Sequence, residues 1–195
     1  MGNLVMIEFS TVDGVMQGLG SPQEDTEGGF THGGWGAPFA ASIHQVVAPS
    51  GLANTAAYLF GRRTFEKMAA FWPHQPDHDP VAAHLNASPK HVASRTMTET
   101  SWPGSHIISG DLTDAVQDLK HQHEGDIAVL GSGVLVRQLL ADGLVDEIRL
   151  FLHPLLLGTG KRLFGDLPSP TRLTLTSVAQ TDLGTVALSY AVVDT

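Results

Sequence analysis

The stretch Asp126-Ile-Ala-Val-Leu-Gly-Ser-Gly-Val-Leu-Val-Arg-Gln-Leu-Leu140 changes character in its middle. Ile127 to Leu130 is wholly apolar, as a strand buried on both faces of a sheet requires. Gly131-Ser132-Gly133 follows without a break. Beyond it Leu135, Val136, Leu139 and Leu140 recur at helical spacing. Gly143 stands one residue past Asp142, where a helix end accepts positive φ. The segment predicts a strand, a glycine turn and a helix. Free N–H groups and the positive dipole end at a helix N-terminus favour an anion such as phosphate. Two glycines let that anion approach the backbone. An ordinary strand-to-helix turn has the same outline, because Val136 occupies the third position of a full G-x-G-x-x-G pattern.

The same grammar recurs on either side. Leu4 to Phe9 reads as a buried first strand, closed by the turn signal Asp13-Gly14. Ala56 to Phe60 reads as a second, running into Gly61-Arg62-Arg63-Thr64, with Phe65 to Trp72 continuing as a helix. Pro38 to Val47 and Val81 to Asn86 read as helices. Lys90 to Ser94 and His106 to Ser109 supply the third and fourth strands. Asp111 can cap a helix whose apolar face is Leu112, Ala115, Val116 and Leu119. Val145 to Leu152 is a long strand. Leu173 and Leu175, then Val186, Leu188, Tyr190 and Val192, alternate about Asp182-Leu183-Gly184, which is a hairpin pattern. Strands alternating with helices predict an α/β three-layer sandwich. Its sheet is mixed and mostly parallel, with the C-terminal β-hairpin adding antiparallel strands, in one domain over residues 1–195. Ligands of such sheets bind at the carboxyl ends of the strands. Asp13, Gly61, Ser94 and Gly131 all fall there and are expected to line one edge.

Composition narrows the function. A formal net charge of −9 argues against a nucleic-acid surface. The absence of cysteine excludes disulfides, thiolate metal sites and a cysteine nucleophile. No signal peptide is legible and the apolar runs are too short to span a bilayer, so a cytoplasmic protein is expected. Ten histidines are scattered without a metal-ligand spacing, and no metal is expected. Residues Gly18 to Gly36 hold seven glycines in a long polar segment. Segments of that length inside compact domains are often lids. Phe30 and Trp35 within it call for a surface to dock on. His32 and Trp35 either close over a substrate or pack the loop.

Several segments together resemble the dihydrofolate-reductase-like superfamily, in the branch of stand-alone relatives of the riboflavin-biosynthesis reductase domain. They are Ser10-Thr-Val-Asp-Gly14, Gly28-Gly-Phe-Thr-His-Gly-Gly-Trp-Gly36, Gly61-Arg-Arg-Thr-Phe65, Ser94-Arg95 and Val129-Leu-Gly-Ser-Gly-Val134. Val145-Asp-Glu-Ile-Arg-Leu150, His153-Pro154 and Leu157-Gly-Thr-Gly-Lys-Arg-Leu-Phe164 complete the set. The matches run in order over nearly the whole chain. The resemblance implies an NADPH-binding reductase. It places the dinucleotide phosphates on Gly61, Arg62, Arg63 and Thr64 and on Gly131, Ser132 and Gly133, and the 2′-phosphate at Ser94-Arg95. Arginine suits that task, since its planar fork of donors matches phosphate oxygens. Asp13 is implied near the nicotinamide as the catalytic candidate. His32, Trp35 and Lys161 are the substrate candidates.

The resulting expectation is an NADPH-dependent reductase of a small heterocyclic or carbonyl substrate. The alternatives are an NADP(H)-binding module without turnover, and an oligomeric scaffold whose arginines are incidental. Dihydrofolate itself is not the expected substrate. In Trp35-Gly-Ala-Pro38 the position two beyond the proline is Ala40, where dihydrofolate reductases carry an acid, and a methyl group cannot help move a proton. The resemblance also suggests a homodimer, with Ile148 to Leu152 and Leu155 to Leu157 as the apolar interface.

Overall fold

The computed structural model describes residues 1–47, 52–76, 78–165, 167 and 169–193. Its strands are β1 (Leu4–Thr11), β2 (Thr55–Gly61), β3 (Lys90–Ala93), β4 (Ser105–Ile108), β5 (Asp126–Val129), β6 (Glu147–His153), β7 (Arg172–Gln180) and β8 (Val186–Val193). The helices are α1 (Ala40–Val47), α2 (Arg62–Phe71), α3 (Pro80–Ala87), α4 (Leu112–Gln122) and α5 (Gly133–Ala141). The strands form one sheet in the order β4-β3-β2-β5-β1-β6-β8-β7. β1–β5, β5–β2, β2–β3 and β3–β4 pair in parallel, while β7–β8 is an antiparallel hairpin. The expected α/β architecture, largely parallel with a terminal hairpin, is the observed one. By packing the chain forms two compact units, residues 1–6 with 51–147 and residues 7–50 with 148–195.

In the first unit the wholly buried run Asp126–Val129 lies between two other apolar strands, as its lack of polar alternation requires. The register aligns Leu4 with Ile127, Leu59 with Val129 and Gly61 with Ala93. Phe60, Phe65 and Trp102 form a buried ring cluster with centroids 6.1–6.2 Å apart. α3 and α4 begin with aspartate caps. Asp79 accepts from the amides of Val81 and Ala82, and Asp111 from those of Thr113 and Asp114. α2 starts at Arg62, three residues before the expected Phe65. The arginines therefore lie in its first turn.

In the second unit the glycine-rich segment is folded around its own aromatics. Val15, Phe30 and Trp35 are buried together, with Leu19, Leu155 and Leu157 packed against them. Gly160 sits so close that a Cβ there would meet Val15 at 2.7 Å and Phe30 at 2.8 Å. Of the expected dimer-interface residues, Ile148, Leu150 and Phe151 are buried in the core, Leu152, Leu155 and Leu157 are half-buried and Leu156 is exposed. β7 instead is exposed along its whole length. Its register with β8 shifts between Leu175 and Ser177, which brings Leu173, Leu175 and Val178 opposite Val192, Tyr190 and Leu188.

Candidate functional site

In the first unit the carboxyl ends of β2, β3 and β5 come together as expected. The amide of Gly61 donates to the carbonyl of Gly131 at 3.0 Å. This ties the end of β2 to the turn after β5. α2 and α5 both start at this junction, with Gly61 and Ser132 at their N-cap positions, and neither N-cap side chain accepts a helix amide. This differs from the aspartate-capped α3 and α4. A helix start without a cap leaves amide donors for another acceptor. A Cβ on Gly61 would come within 2.6 Å of Ser132 Oγ and 3.2 Å of its amide nitrogen, so the two helix starts converge where only glycine fits. Gly131 has φ +91°, and the peptide joining it to Ser132 is cis. Gly133 is buried in the first turn of α5.

Cations surround the junction. Arg62 and Arg63 are exposed in the first turn of α2. Arg62 Nη1 lies 3.5 Å from Glu66 Oε1, both half exposed. Such a surface pair contributes little, so Arg62 can exchange its partner at small cost. Thr64 is half-buried in the same turn. Ser94 follows β3, and its Oγ accepts from the amides of Thr96 at 3.3 Å and Met97 at 3.0 Å. That turn carries the exposed Arg95. Gly61 and Ala93 share a register, so Arg95 belongs to the same strand-end region as the junction. Converging uncapped amides, a glycine-only approach and nearby guanidinium groups together fit the pyrophosphate of a dinucleotide.

The substrate and catalytic candidates lie in the second unit. Asp13 is engaged on every side. Thr11 Oγ1 donates to Asp13 Oδ1 at 2.5 Å, as does the Leu157 amide at 3.2 Å; the Gly158 amide donates to Oδ2 at 2.8 Å. Arg162 Nη2 lies 3.5 Å from Oδ2, and its Nε donates to the Asp13 carbonyl at 2.9 Å. The Thr11 hydroxyl, with the two loop amides, holds the carboxyl at about 2. A carboxylate this acidic fastens the 157–158 loop and has no proton to give at neutral pH. Lys161 Nζ donates to Asp25 Oδ2 and Glu27 Oε2, each at 2.7 Å, and its amide donates to Gln17 Oε1. Burial lowers its pKa, but the two carboxylates outweigh burial and raise it. Lys161 thus latches the glycine-rich segment. Trp35 is buried; its Nε1 donates to the Gln17 carbonyl at 2.7 Å and its ring stands edge-on to His153 at 5.3 Å. His32 is exposed beside Phe30.

Two residues with chemistry were given no role from the sequence. His153 is buried among Phe9, Trp35 and Phe39, and burial lowers its pKa. Glu8 sits in β1 with Oε2 buried and without a hydrogen-bond partner among the described residues. Its signal in the sequence was a lone carboxylate inside an apolar strand run. Among the described residues no group of three or more His, Asp or Glu could hold a metal ion, and no helix is long and apolar enough to cross a membrane.

The model of the RibD C-terminal domain matches residues 3–187. The protein YyaP of Bacillus subtilis, itself uncharacterised, is 30% identical over 135 residues, 68% of this chain and 71% of that protein. Among solved structures, a provisionally named riboflavin biosynthesis protein of Shewanella sp. PV-4 superposes with a TM-score of 0.71 at 20% identity, covering 98% of this chain and 99% of that one. Dihydrofolate reductase of Enterococcus faecalis, complexed with NADP(H), superposes with a TM-score of 0.55 at 15% identity, covering 98% and 97%. These two likenesses concern the fold.

Proposed function

The chain belongs to the RibD C-terminal domain family, and we propose that it is an NADPH-dependent reductase of a small heterocyclic or carbonyl substrate. The observation that carries this reading is the junction of α2 and α5, two helix starts without side-chain caps converging at Gly61 and Ser132. Gly61, Arg62, Arg63 and Thr64, with Gly131, Ser132 and Gly133, would hold the pyrophosphate, and Ser94 and Arg95 the 2′-phosphate. NADPH when bound supplies the hydride; the protein supplies binding, orientation and electrostatics. Asp13 acts in this reading by fixing the 157–158 loop, and Lys161 by latching the segment that carries His32 and the buried Trp35. His32 and Lys161 are the exposed candidates for a substrate.

The test is NADPH oxidation against a panel of heterocyclic and carbonyl substrates, beside a cofactor titration. Charge-assisted hydrogen bonds contribute roughly 1.5–3 kcal/mol each. Arg95→Ala should therefore weaken NADPH on the order of tenfold or more and leave NADH nearly unchanged. Equal weakening of both would remove Arg95 from the 2′-phosphate. Binding without turnover on any substrate would make the chain an NADP(H)-binding module instead. Dihydrofolate should turn over negligibly, since the Trp35–Pro38 segment leads into Ala40 at the start of α1. The same reading expects a homodimer, and the exposed apolar residues Leu173, Leu175 and Val178 of β7 are available for it. A monomer by sedimentation at micromolar concentration would remove that part.

A further inference from the structure

Within the first unit β4 is the edge strand, and among the described residues it pairs with β3 alone. It is four residues long, and none of them is fully buried. Such an edge opens at lower cost than an interior strand. Three histidines meet at it. In the parallel register His91 of β3 stands beside His106 of β4. Their rings are 5.7 Å apart and tilted by 30°. His123, just past α4, stands edge-on to His91 at 6.3 Å. His91 Nε2 is buried and has no hydrogen-bond partner among the described residues. His84 of the same unit shows the usual arrangement, with Nδ1 2.8 Å from the Tyr58 hydroxyl. A buried polar atom left without a partner calls for an explanation. Neutral, the His91 ring is tolerated there. Charged, it would need an acceptor for Nε2–H and would face two more imidazoles. Burial is the main reason that its pKa falls to about 4, and charge on His106 and His123 adds to the fall. From β2 the residue in register is Leu59, which carries no charge. The other ionisable side chains of α4 and the two residues after it are engaged elsewhere or exposed. Lys120 reaches Asp146 at 2.6 Å, His121 Nδ1 lies 2.7 Å from the Gln117 carbonyl of its own helix, and Asp114, Asp118 and Glu124 are exposed.

We propose that His91, His106 and His123 form an acid-operated clasp: proton uptake at His91 frees β4 from the edge of the sheet and loosens the turn after β3 that carries Ser94 and Arg95. With β4 in place His91 refuses the proton. With β4 away its ring meets water and accepts one, so acid favours the open edge. Above pH 6.5 the ring is neutral in both forms and the clasp stays shut. Below it each pH unit favours opening by roughly tenfold, until His91 charges in the closed form as well, near pH 4. Ala93 and Ile108 are the last pair of the β3–β4 register, and Ser94 follows Ala93 directly. The turn held by Ser94 Oγ on the amides of Thr96 and Met97 therefore starts where that ladder ends. A freed β4 takes away its support. In the reading of the chain as an NADPH-dependent reductase, on which this last consequence rests, the clasp weakens the grip on the 2′-phosphate in acid.

The test uses the intact chain and amide hydrogen exchange, read as protection factors so that the intrinsic pH dependence of exchange is removed. Protection of the β4 amides bonded to β3 should fall roughly tenfold per pH unit below 6.5 and level off near pH 4. Low urea should leave β4 exchange unchanged while speeding that of β5 in the middle of the sheet, because a local opening exposes little surface. β4 amides as sensitive to urea as those of β5 would open only by global unfolding, which overturns the proposal. In His91→Leu the protection of β4 should lose its pH dependence; a decline as steep as in wild type also overturns it. Should His91→Leu fail to fold, His106→Gln at its exposed position takes over. It removes one opposing charge, so the decline should end at a higher pH, and an unchanged profile counts against the clasp. Titrations with NADP⁺ in neutral and in mildly acidic buffer give the second readout. Wild type should weaken severalfold more than His91→Leu between the two; the 2′-phosphate titrates alike in both, so the difference belongs to the protein. Equal weakening beside an open β4 overturns the link to Ser94 and Arg95. No NADP⁺ binding in either buffer sinks the cofactor reading, and the exchange profile still decides the clasp.

Discussion

Lys90 is fully buried. Its Nζ donates to the carbonyls of Leu85 at 2.8 Å, Asn86 at 3.3 Å and Ser88 at 2.7 Å, and stands 4.8 Å from the centroid of the Trp102 ring. The acceptors are the last turn of α3 and the residue after it, where the negative end of the helix dipole favours a cation. Burial lowers the Lys90 pKa to about 8; the three carbonyls and the ring are what keep the ammonium tolerable at neutral pH. Lys90→Met should fill the space and strand the carbonyls. The expected loss is about 1–3 kcal/mol, or roughly 2–12 °C in a thermal melt. An unchanged melting temperature would mean that water reaches those carbonyls. Nothing in Lys90-His-Val-Ala93 announces this arrangement, because a lysine at a strand start reads as surface. Asp111 was legible for the opposite reason: a cap acts on its own helix within three residues.

At the scale of elements the meeting of α2 and α5 invites a test without backbone strain. Gly61 has φ −77°, which any residue adopts, whereas Gly131 at +91° does not tolerate a side chain. Gly131→Val would thus disturb the fold as well as the ligand. Gly61→Ala is the cleaner change, since its methyl would press on Ser132 and part the two helix starts. NADPH affinity should fall tenfold or more, with the circular dichroism spectrum retained. Normal affinity would place the phosphates elsewhere. The latch of the glycine-rich segment is testable in the same way. Lys161→Met removes both ion pairs, to Asp25 and Glu27, and should speed proteolysis within residues 18–36 while NADPH affinity stays as it was. Both strand–glycine–helix units were readable because their apolar periods change within a few residues. The engagement of Trp35, Asp13 and Lys161 was not. Apart from the Thr11–Asp13 bond, it depends on partners 18 to 149 residues away along the chain, and no local pattern encodes them.

For the whole molecule, opposed titrations shape stability. Burial lowers the pKa of His84, His153 and His91, the last to about 4, with His106 and His123 adding to the shift at His91. Below pH 6.5 the unfolded chain takes up protons that the folded protein refuses, so stability should drop as pH falls from 6.5 toward 4. A series of melts should show this, and His91→Asn should make the decline shallower. An equal slope would locate the acid sensitivity in other groups. Glu8 acts in the other direction, eroding stability as pH rises toward 8. The division of the chain has a consequence for its birth. One unit is made of residues 1–6 and 51–147, and the other takes its halves from 7–50 and 148–195. A ribosome adding about 5–20 residues per second finishes everything the first unit needs roughly 2–10 s before it finishes the second. During that interval residues 7–50 leave the tunnel without β6, β7 and β8, and their aromatics Phe30 and Trp35 lack Leu155 and Leu157 to rest on. Nascent chains ending at residue 147 and held clear of the tunnel by a C-terminal linker should therefore protect the β2–β5 amides from exchange while the glycine-rich segment remains open to chaperones.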